Sequence, residues 1–393
     1  MKILVICQYY YPEPFRIPDI CEELVKKGHK VTVVTGTPNY PMGEIYEGYE
    51  KGKRKYETIN GVKVHRCFTI GRKGGTIKRF LNYYSYAISS SLHILLLKND
   101  YDVVFVNQLS PVMMAYAGIL YKKLHHKKLV MYCLDLWPAS LCAGGVKESS
   151  VIYKVFHKIS ANIYKQADKI LITSSMFKKY LHDEFGINKR KISYLPQYAE
   201  DLFDPEKCKK APNGWIDLMF AGNIGKVQNV EIILKAAKEL KMKKIRFHIV
   251  GDGTDVNRLI SIKEKYQLNN VIFHGRQPLE DMPKYYSMAD AMLVTMEDDS
   301  VLNLTLPGKV QTYMAAGKPI IGSIKGETDY VIRRAQCGFV GRPNSTTEFV
   351  LNINNFIKYN NKQTLVENAR GFYDDNFSKS SFLHSIESII KKL

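Results

Sequence analysis

The sequence has no apolar run of the roughly 20 residues that a membrane-spanning helix requires. Its nearest approach, residues 80–97 (FLNYYSYAISSSLHILLL), is interrupted by Asn, Tyr, Ser and His. No C-x-x-C pair occurs. The seven cysteines, at 7, 21, 67, 133, 142, 208 and 337, are odd in number and lie mostly within apolar strand-like runs. That pattern argues against a disulfide framework or a zinc site and predicts reduced thiols acting as small core hydrophobes in a reducing compartment. Short repeats and low-complexity tracts are absent, which excludes solenoids and disordered arrays. Acidic residues are scarce: 38 Asp and Glu stand against 57 Lys and Arg, a net charge of +19. The opening MKILVICQYYYPEP carries one lysine and a very short apolar run before Pro12. It reads as a strand rather than a signal peptide.

What is present is an ordinary globular composition, 45% hydrophobic and 24% charged, in a chain of 393 residues. That length predicts two or three domains. The positive charge fits nucleic acid, an anionic membrane, phosphate-rich substrates or simple lysine richness. No nucleic-acid-binding motif appears, so nucleic acid is not an expected partner.

Short β-branched runs alternate with helical stretches throughout. Strands are expected at 2–7, 30–35, 62–67, 102–107, 128–133, 169–174 and 191–196, with helices at 16–28, 78–98, 110–125 and 150–167. The pattern restarts after residues 196–215, a Pro-, Lys- and Asp-rich stretch read as a linker. Strands follow at 216–222, 245–251, 271–275, 291–296 and 318–323, then helices near 363–373 and 379–393. Continuous apolar strands alternating with helices indicate parallel sheets covered on both faces. The expected class is therefore α/β, with two Rossmann-like doubly wound domains facing a cleft. Their boundaries are placed at 1–198 and 199–378. The terminal helix, 379–393, either packs back on the first domain or completes the second.

Ligands of open α/β sheets bind beyond the carboxyl ends of the strands. Four such loops stand out in the second half. In FAGNIGKVQN (220–229), Gly222, Asn223 and Gly225 free the backbone, a helix is expected near Val227, and Lys226 offers a cation. In IVGDGTD (249–255), Gly251 and Gly253 flank Asp252. A third glycine is missing, so a dinucleotide fingerprint is rejected, and Asp255 reads as a helix N-cap. FHGRQP (273–278) presents Arg276, for a base or for solvent. The fullest signal is LNLTLPGKVQTYMAAGKPIIG (302–322). Pro307 in the first turn and Gly317 at the end punctuate a short helix, whose start carries Gly308, Lys309 and Val310. Such an end can hold a diphosphate and stabilise the charge that grows on it as it leaves. Two acidic features are weaker. Glu297-Asp298-Asp299 resembles a metal-binding cluster, but a single cluster does not establish a metal site and none is assigned. Glu327 opens the helix after the strand at 318–323.

These loops together resemble the retaining GT-B glycosyltransferases that assemble bacterial capsule, O-antigen and exopolysaccharide, in a branch similar to amino-sugar and deoxysugar transferases. The resemblance rests on YYYPEP (9–14), TPNYPMGEIYEGY (37–49), LDLWPAS (134–140), FAGNIGKVQ (220–228), VGDG (250–253), HGR (274–276), PGKVQTYMAAGKPII (307–321), GETDYVI (326–332) and CGFV (337–340). It implies a metal-independent transfer with retention, in which the nucleotide-sugar is a co-substrate and no other cofactor takes part. By that likeness the second domain holds the donor, with UDP as the first choice of nucleotide, linked to an N-acetylated hexosamine such as N-acetylfucosamine. Lys226, Arg276 and Lys309 would lie near its nucleotide or diphosphate. The acceptor, a glycan or polyprenyl-diphosphate-linked sugar, would approach Glu13, Arg16, Asn39, Tyr40 and Asp135. Asp135 reads equally as a helix cap. Lys226, Lys309 and Asp135 are the candidate catalytic residues. The chain departs from the family's pattern at several points. Leu304 and Thr312 stand where many relatives carry an E-x7-E pair, Asn223 and Gln228 replace an Arg-x4-Lys pair, and Pro-Gly-Lys replaces Pro-Ser-Lys.

Arg72, Lys73, Lys78 and Arg79 precede the Tyr- and Ser-rich run at 80–97. A basic flank beside aromatics suits a helix lying on an anionic membrane, at the inner face of the plasma membrane of a cytoplasmic protein. A buried helix with a Ser and Tyr stripe accounts for the same pattern. Two other activities remain open from the sequence: a UDP-sugar 2-epimerase of the same fold, and a non-catalytic basic protein that docks on membranes.

Overall fold

A computed structural model describes residues 1–143 and 145–393. The chain divides into two compact units, Met1–Leu195 with Leu383–Leu393, and Pro196–Phe382.

The first unit is built on an eight-stranded sheet. Its strands are β1 (Lys2–Ile6), β2 (Lys30–Gly36), β3 (Tyr56–Ile59), β4 (Val62–Cys67), β5 (Val103–Gln108), β6 (Lys128–Cys133), β7 (Lys169–Ile172) and β8 (Ile192–Tyr194), in the order β3-β4-β2-β1-β5-β6-β7-β8. All pairs are parallel except β3 with β4. The six residues of β5 are all buried, as expected where helices cover both faces of a sheet. Strand β3 escapes the alternation of apolar runs because it is four residues long with a half-exposed edge. Its signal is the Asn60-Gly61 dipeptide, with φ +48° and +83°, the positive pair of a tight hairpin turn.

The second unit carries a six-stranded, fully parallel sheet. Its strands are β9 (Ile216–Ala221), β10 (Ile245–Val250), β11 (Val271–Gly275), β12 (Ala291–Thr295), β13 (Ile320–Ser323) and β14 (Gly338–Gly341), ordered β11-β10-β9-β12-β13-β14. Successive strands run outward from β9 to β11 and then, on the other side, from β12 to β14. The direction therefore reverses between β9 and β12, the place where such sheets leave a crevice for ligands. Strand β14, with a glycine at each end, was not evident from apolar runs.

Two sequence expectations change here, at residues 196–215 and near Val227. Residues 196–215 are not a bare linker: Ala199, Phe203 and Cys208 are buried in the core of the second unit, and Phe203 lies 5.0 Å from Tyr286. The expected helix near Val227 is a single 3-10 turn, Lys226–Gln228, and the α-helix starts at Glu231. Asn229, at φ +43°, breaks the two apart. The helix Lys379–Lys391 starts in the second unit, yet from Leu383 onward it groups with the first. There Glu387 accepts from Lys27 at 3.3 Å and meets His29 at 3.3 Å.

Glycine packing holds the loops of the second unit together. An added Cβ at Gly251 would lie 1.9 Å from the carbonyl oxygen of Gly222, and Gly251 already has φ +137°. Gly251→Ala should cost about 2 kcal/mol or more, by strain and clash together. Urea denaturation checks this, and an unchanged midpoint would refute the close approach.

Candidate active site

Strand β9 ends at Ala221, and Gly222 follows at φ +138°. Strand β12, its neighbour across the reversal, feeds through residues 296–307 into the helix Gly308–Ala315. Pro307 is the N-cap of this helix rather than part of its first turn, with extended backbone that its fixed ring favours. Two cross-links bind the loops after β9 and β12: Glu297 N–H donates to the Val227 carbonyl (2.9 Å), and Thr295 Oγ1 donates to that of Gln228 (2.5 Å).

Lys309, the second residue of that helix, points its ammonium at Gly222. A Cβ added to Gly222 would come within 2.8 Å of Lys309 Nζ. The Nζ sits 3.9 Å from the ring centroid of Phe220 and is buried with no hydrogen-bond partner. Burial without a counter-charge lowers its pKa to about 7. A buried cation on an aromatic face, its N–H bonds unused at a helix N-terminus, is a poor structural element and a ready anion receptor.

The neighbouring loops are shaped by backbone contacts. Gln228 Oε1 accepts from Asn223 Nδ2 (3.0 Å) and Gly225 N–H (3.1 Å), which closes the turn after β9 and leaves Lys226 exposed. Asp252 turns onto Gly253 N–H (2.8 Å), and its carbonyl accepts from Ile224 (2.9 Å). Arg276 follows β11 and is exposed. Glu327 begins the helix Glu327–Ala335 and is 1% exposed. Val310 is a core residue: its side chain is fully buried in the main cluster of the unit, so it presents no group to a donor. The acidic cluster is explained locally. Asp299 accepts from the N–H groups of Val301 and Leu302, and Asp298 from Asn303 Nδ2. Asp255 stands at its N-cap position without a capping bond, because its carboxylate is held by Arg258 at 2.6 and 2.7 Å.

In the first unit, the loop after β1 meets the loop after β2. Glu13 is buried; its Oε1 accepts from Asn39 N–H (2.8 Å) and Tyr40 N–H (2.7 Å), and its Oε2 from Tyr10 N–H (3.1 Å). Burial pushes its pKa up to about 7, against the pull of those amides. Glu13 is thus a brace between loops rather than an exposed ligand. Asn39 is likewise fully buried, donating to the Thr37 carbonyl (2.8 Å) and accepting from Asn82 (3.2 Å). The brace presents three rings that sequence reading had not grouped. Tyr9, Phe15 and Tyr40 lie 5.0–5.7 Å apart, and the Arg72 guanidinium stands 4.4 Å over Tyr40. Arg16 occupies the N-cap position of the helix Ile17–Lys26 and is half-buried. Asp135, after β6, is no helix cap. It accepts from Ser110 Oγ, which is 2.9 Å from Ser140 Oγ, and burial raises its pKa.

Two family models match this chain: Glycosyltransferase Family 4 over residues 17–197, and Glycosyl transferases group 1 over residues 206–372. The two halves of the chain thus match two glycosyltransferase families, and its fold is GT-B. Among its relatives, the putative colanic acid biosynthesis glycosyl transferase WcaI of Escherichia coli is 25% identical over 336 residues, covering 81% of this chain and 82% of that protein. The uncharacterized glycosyltransferase MJ1069 of Methanocaldococcus jannaschii is 26% identical over 100% of this chain and 99% of its own length. Anabaena Alr3699/HepE, solved in complex with UDP, superposes over 100% of both chains with a TM-score of 0.74 at 15% identity. At that identity it speaks for the fold.

The electrostatics of Lys309 give a signed pH dependence. Its folded pKa lies below the ordinary lysine value near 10.4, so the unfolded chain binds the proton more tightly. Stability of the unliganded glycosyltransferase should therefore rise as pH climbs from about 7 towards 10, because only the unfolded state is then protonated there. Lys309→Met should raise the unfolding midpoint by several degrees at pH 7 and flatten this slope. Thermal scans across pH check both, and a less stable methionine variant would contradict the assignment.

Proposed function

We propose that this glycosyltransferase moves a sugar, with retention and without a metal, from a nucleoside diphosphate donor to a growing surface polysaccharide. The carrying observation is the buried, partnerless Lys309 ammonium against Gly222, at the sheet reversal. A diphosphate bound there would accept its unused N–H bonds together with those of the helix start at Gly308. As the glycosidic bond lengthens, charge grows on the leaving phosphate, and a preorganised cation in a dry site stabilises that charge most. Lys226 and Arg276, exposed on adjacent loops, would add cations towards the nucleotide. UDP is the first choice, supported by neighbours of the same fold solved with UDP and UDP-glucose. An N-acetylated hexosamine is the proposed sugar.

The acceptor side of the proposal rests on Phe15 and Tyr40, backed by the buried Tyr9, since sugar rings stack on aromatic faces. Asp135 would accept a hydrogen bond from the acceptor or relay its proton. Relatives named for colanic acid biosynthesis support a polysaccharide product, and a polyprenyl-diphosphate-linked glycan is the proposed acceptor. The proposal places the enzyme at the cytoplasmic face of an anionic membrane. Of the basic flank, Arg72 covers Tyr40 and Lys73 pairs with Glu44 (2.5 Å), while Lys78 and Arg79 are exposed. An epimerase would need a histidine and carboxylates exposed to the sugar. The shortest such pair among the described residues, His248 with Asp217 (3.0 Å), is buried and tied to Arg246, which fits a structural role.

Lys309→Ala should lower turnover at saturating donor about a hundredfold, the scale of losing one electrostatic stabiliser. A coupled assay of nucleotide release with a lipid-linked acceptor reads this, and near-normal turnover would remove Lys309 from the mechanism.

A further inference from the structure

The helix Thr76–Ile94 has a mixed buried face, with Tyr86, Ala87 and Ile94 beside polar residues. Its inward face is rich in polar groups. Asn82 is fully buried and bonds Gln8, Asn39 and the Ile70 carbonyl, and Ser90 is fully buried against the Tyr86 carbonyl. Its outward face is apolar: Ile77, Leu81, Tyr84, Ile88 and Leu92 are exposed at helical spacing, and Leu95 and Leu96 continue the stripe just past its end. A soluble protein gains nothing by hiding serine and asparagine while offering leucine to water. This arrangement suits a helix whose outer face meets hydrocarbon.

A cavity of about 370 Å³ opens at the end of this stripe. Leu92, Leu96 and Phe68 are among its lining residues. So are Lys53, Lys55 and Arg66, the lysines exposed and Arg66 buried at 5% exposure. Arg66 donates through Nε to Glu57 (2.9 Å) and through Nη2 to the Tyr11 carbonyl (2.8 Å). Its guanidinium lies 4.7 Å over the Tyr49 ring, and Nη1 is buried without a hydrogen-bond partner, which costs stability unless a ligand accepts from it. Thr37 and Cys67 place the cavity at the carboxyl ends of β2 and β4. The Asn39-Tyr40 loop leaves the sheet at the same end.

A lining of cations and apolar side chains together, continuous with an exposed apolar stripe, suits an amphiphile. We infer that this cavity binds the phosphate-headed end of the lipid that carries the acceptor glycan. Arg66, Lys53 and Lys55 would take the phosphate. The hydrocarbon chain would leave past Phe68, Leu92 and Leu96 along the stripe into the bilayer. The inference rests on the lipid-linked acceptor proposed above. It adds the place where the carrier is gripped, a few residues from the aromatic acceptor loops.

Farnesyl diphosphate is a soluble probe of this site. Its binding to the full chain is measured by calorimetry with saturating UDP present, so that the donor site cannot take the diphosphate. Farnesol, inorganic diphosphate and dihexanoyl phosphatidylglycerol serve as comparisons. Farnesyl diphosphate should bind at least about tenfold more tightly than each of the three. The double variant Lys53→Ala/Lys55→Ala, and separately Leu92→Asp, should each weaken it about tenfold, the scale of one charge-assisted contact. All three positions are exposed, and an unchanged UDP-induced thermal shift would show that the variants fold. Binding indifferent to both variants would overturn the site, as would inorganic diphosphate binding equally well. Equal binding of phosphatidylglycerol would overturn the carrier assignment. The expected lipid pattern in a protein with no response to UDP would uphold the cavity while sinking the donor reading.

Discussion

Everything proposed for the second unit turns on one desolvated cation. Burying an ammonium with no partner is expensive, and proteins usually pair it or let it lose its proton. Lys309 stands between these outcomes: its pKa falls to about 7, and its nearest support is the face of Phe220. The cost is tolerable if an anion arrives to be bound. The glycines around it have the same logic. Gly222 leaves room for the ammonium, and Gly251 lets the next loop press against Gly222. The site is therefore shaped by backbone approach and one strained charge, with few side chains pointing into it.

The first unit solves a different problem with a buried carboxylate. Glu13 collects three backbone N–H groups from two loops and so fixes the rings of Tyr9, Phe15 and Tyr40. Its burial, and that of Asn39, shows why short motifs mislead about roles. A polar residue in a loop beyond a strand can serve the ligand or serve the loop, and only its partners distinguish these. The helix Thr76–Ile94 extends the lesson, since Asn82 faces inward to hold the loops from behind while Ile77, Ile88 and Leu92 are left outside.

Much of the fold was legible because parallel strands buried on both faces write continuous apolar runs. Twelve of the 14 strands fell where those runs predicted, and the two exceptions, β3 and β14, are four-residue edge strands whose signal lies in turns and glycines. The end of the sheet that carries the candidate site was legible too, because glycines and a Pro-Gly-Lys helix start mark it. Partnering was not legible. Nothing in the local sequence at Val310 separates a core valine from a donor contact. Nor does it reveal that Asp299 caps the turn following it, or that Arg72 covers Tyr40 from more than 30 positions away.

The most direct test of the role given to Lys309 is proton uptake on UDP binding. Calorimetric titrations at pH 8 in two buffers of different ionisation enthalpy count the protons exchanged. The free lysine is then largely neutral, and a bound diphosphate should restore its charge, so the account predicts uptake approaching one proton, lost in Lys309→Met. Tight UDP binding with no proton uptake would mean that the diphosphate lies elsewhere.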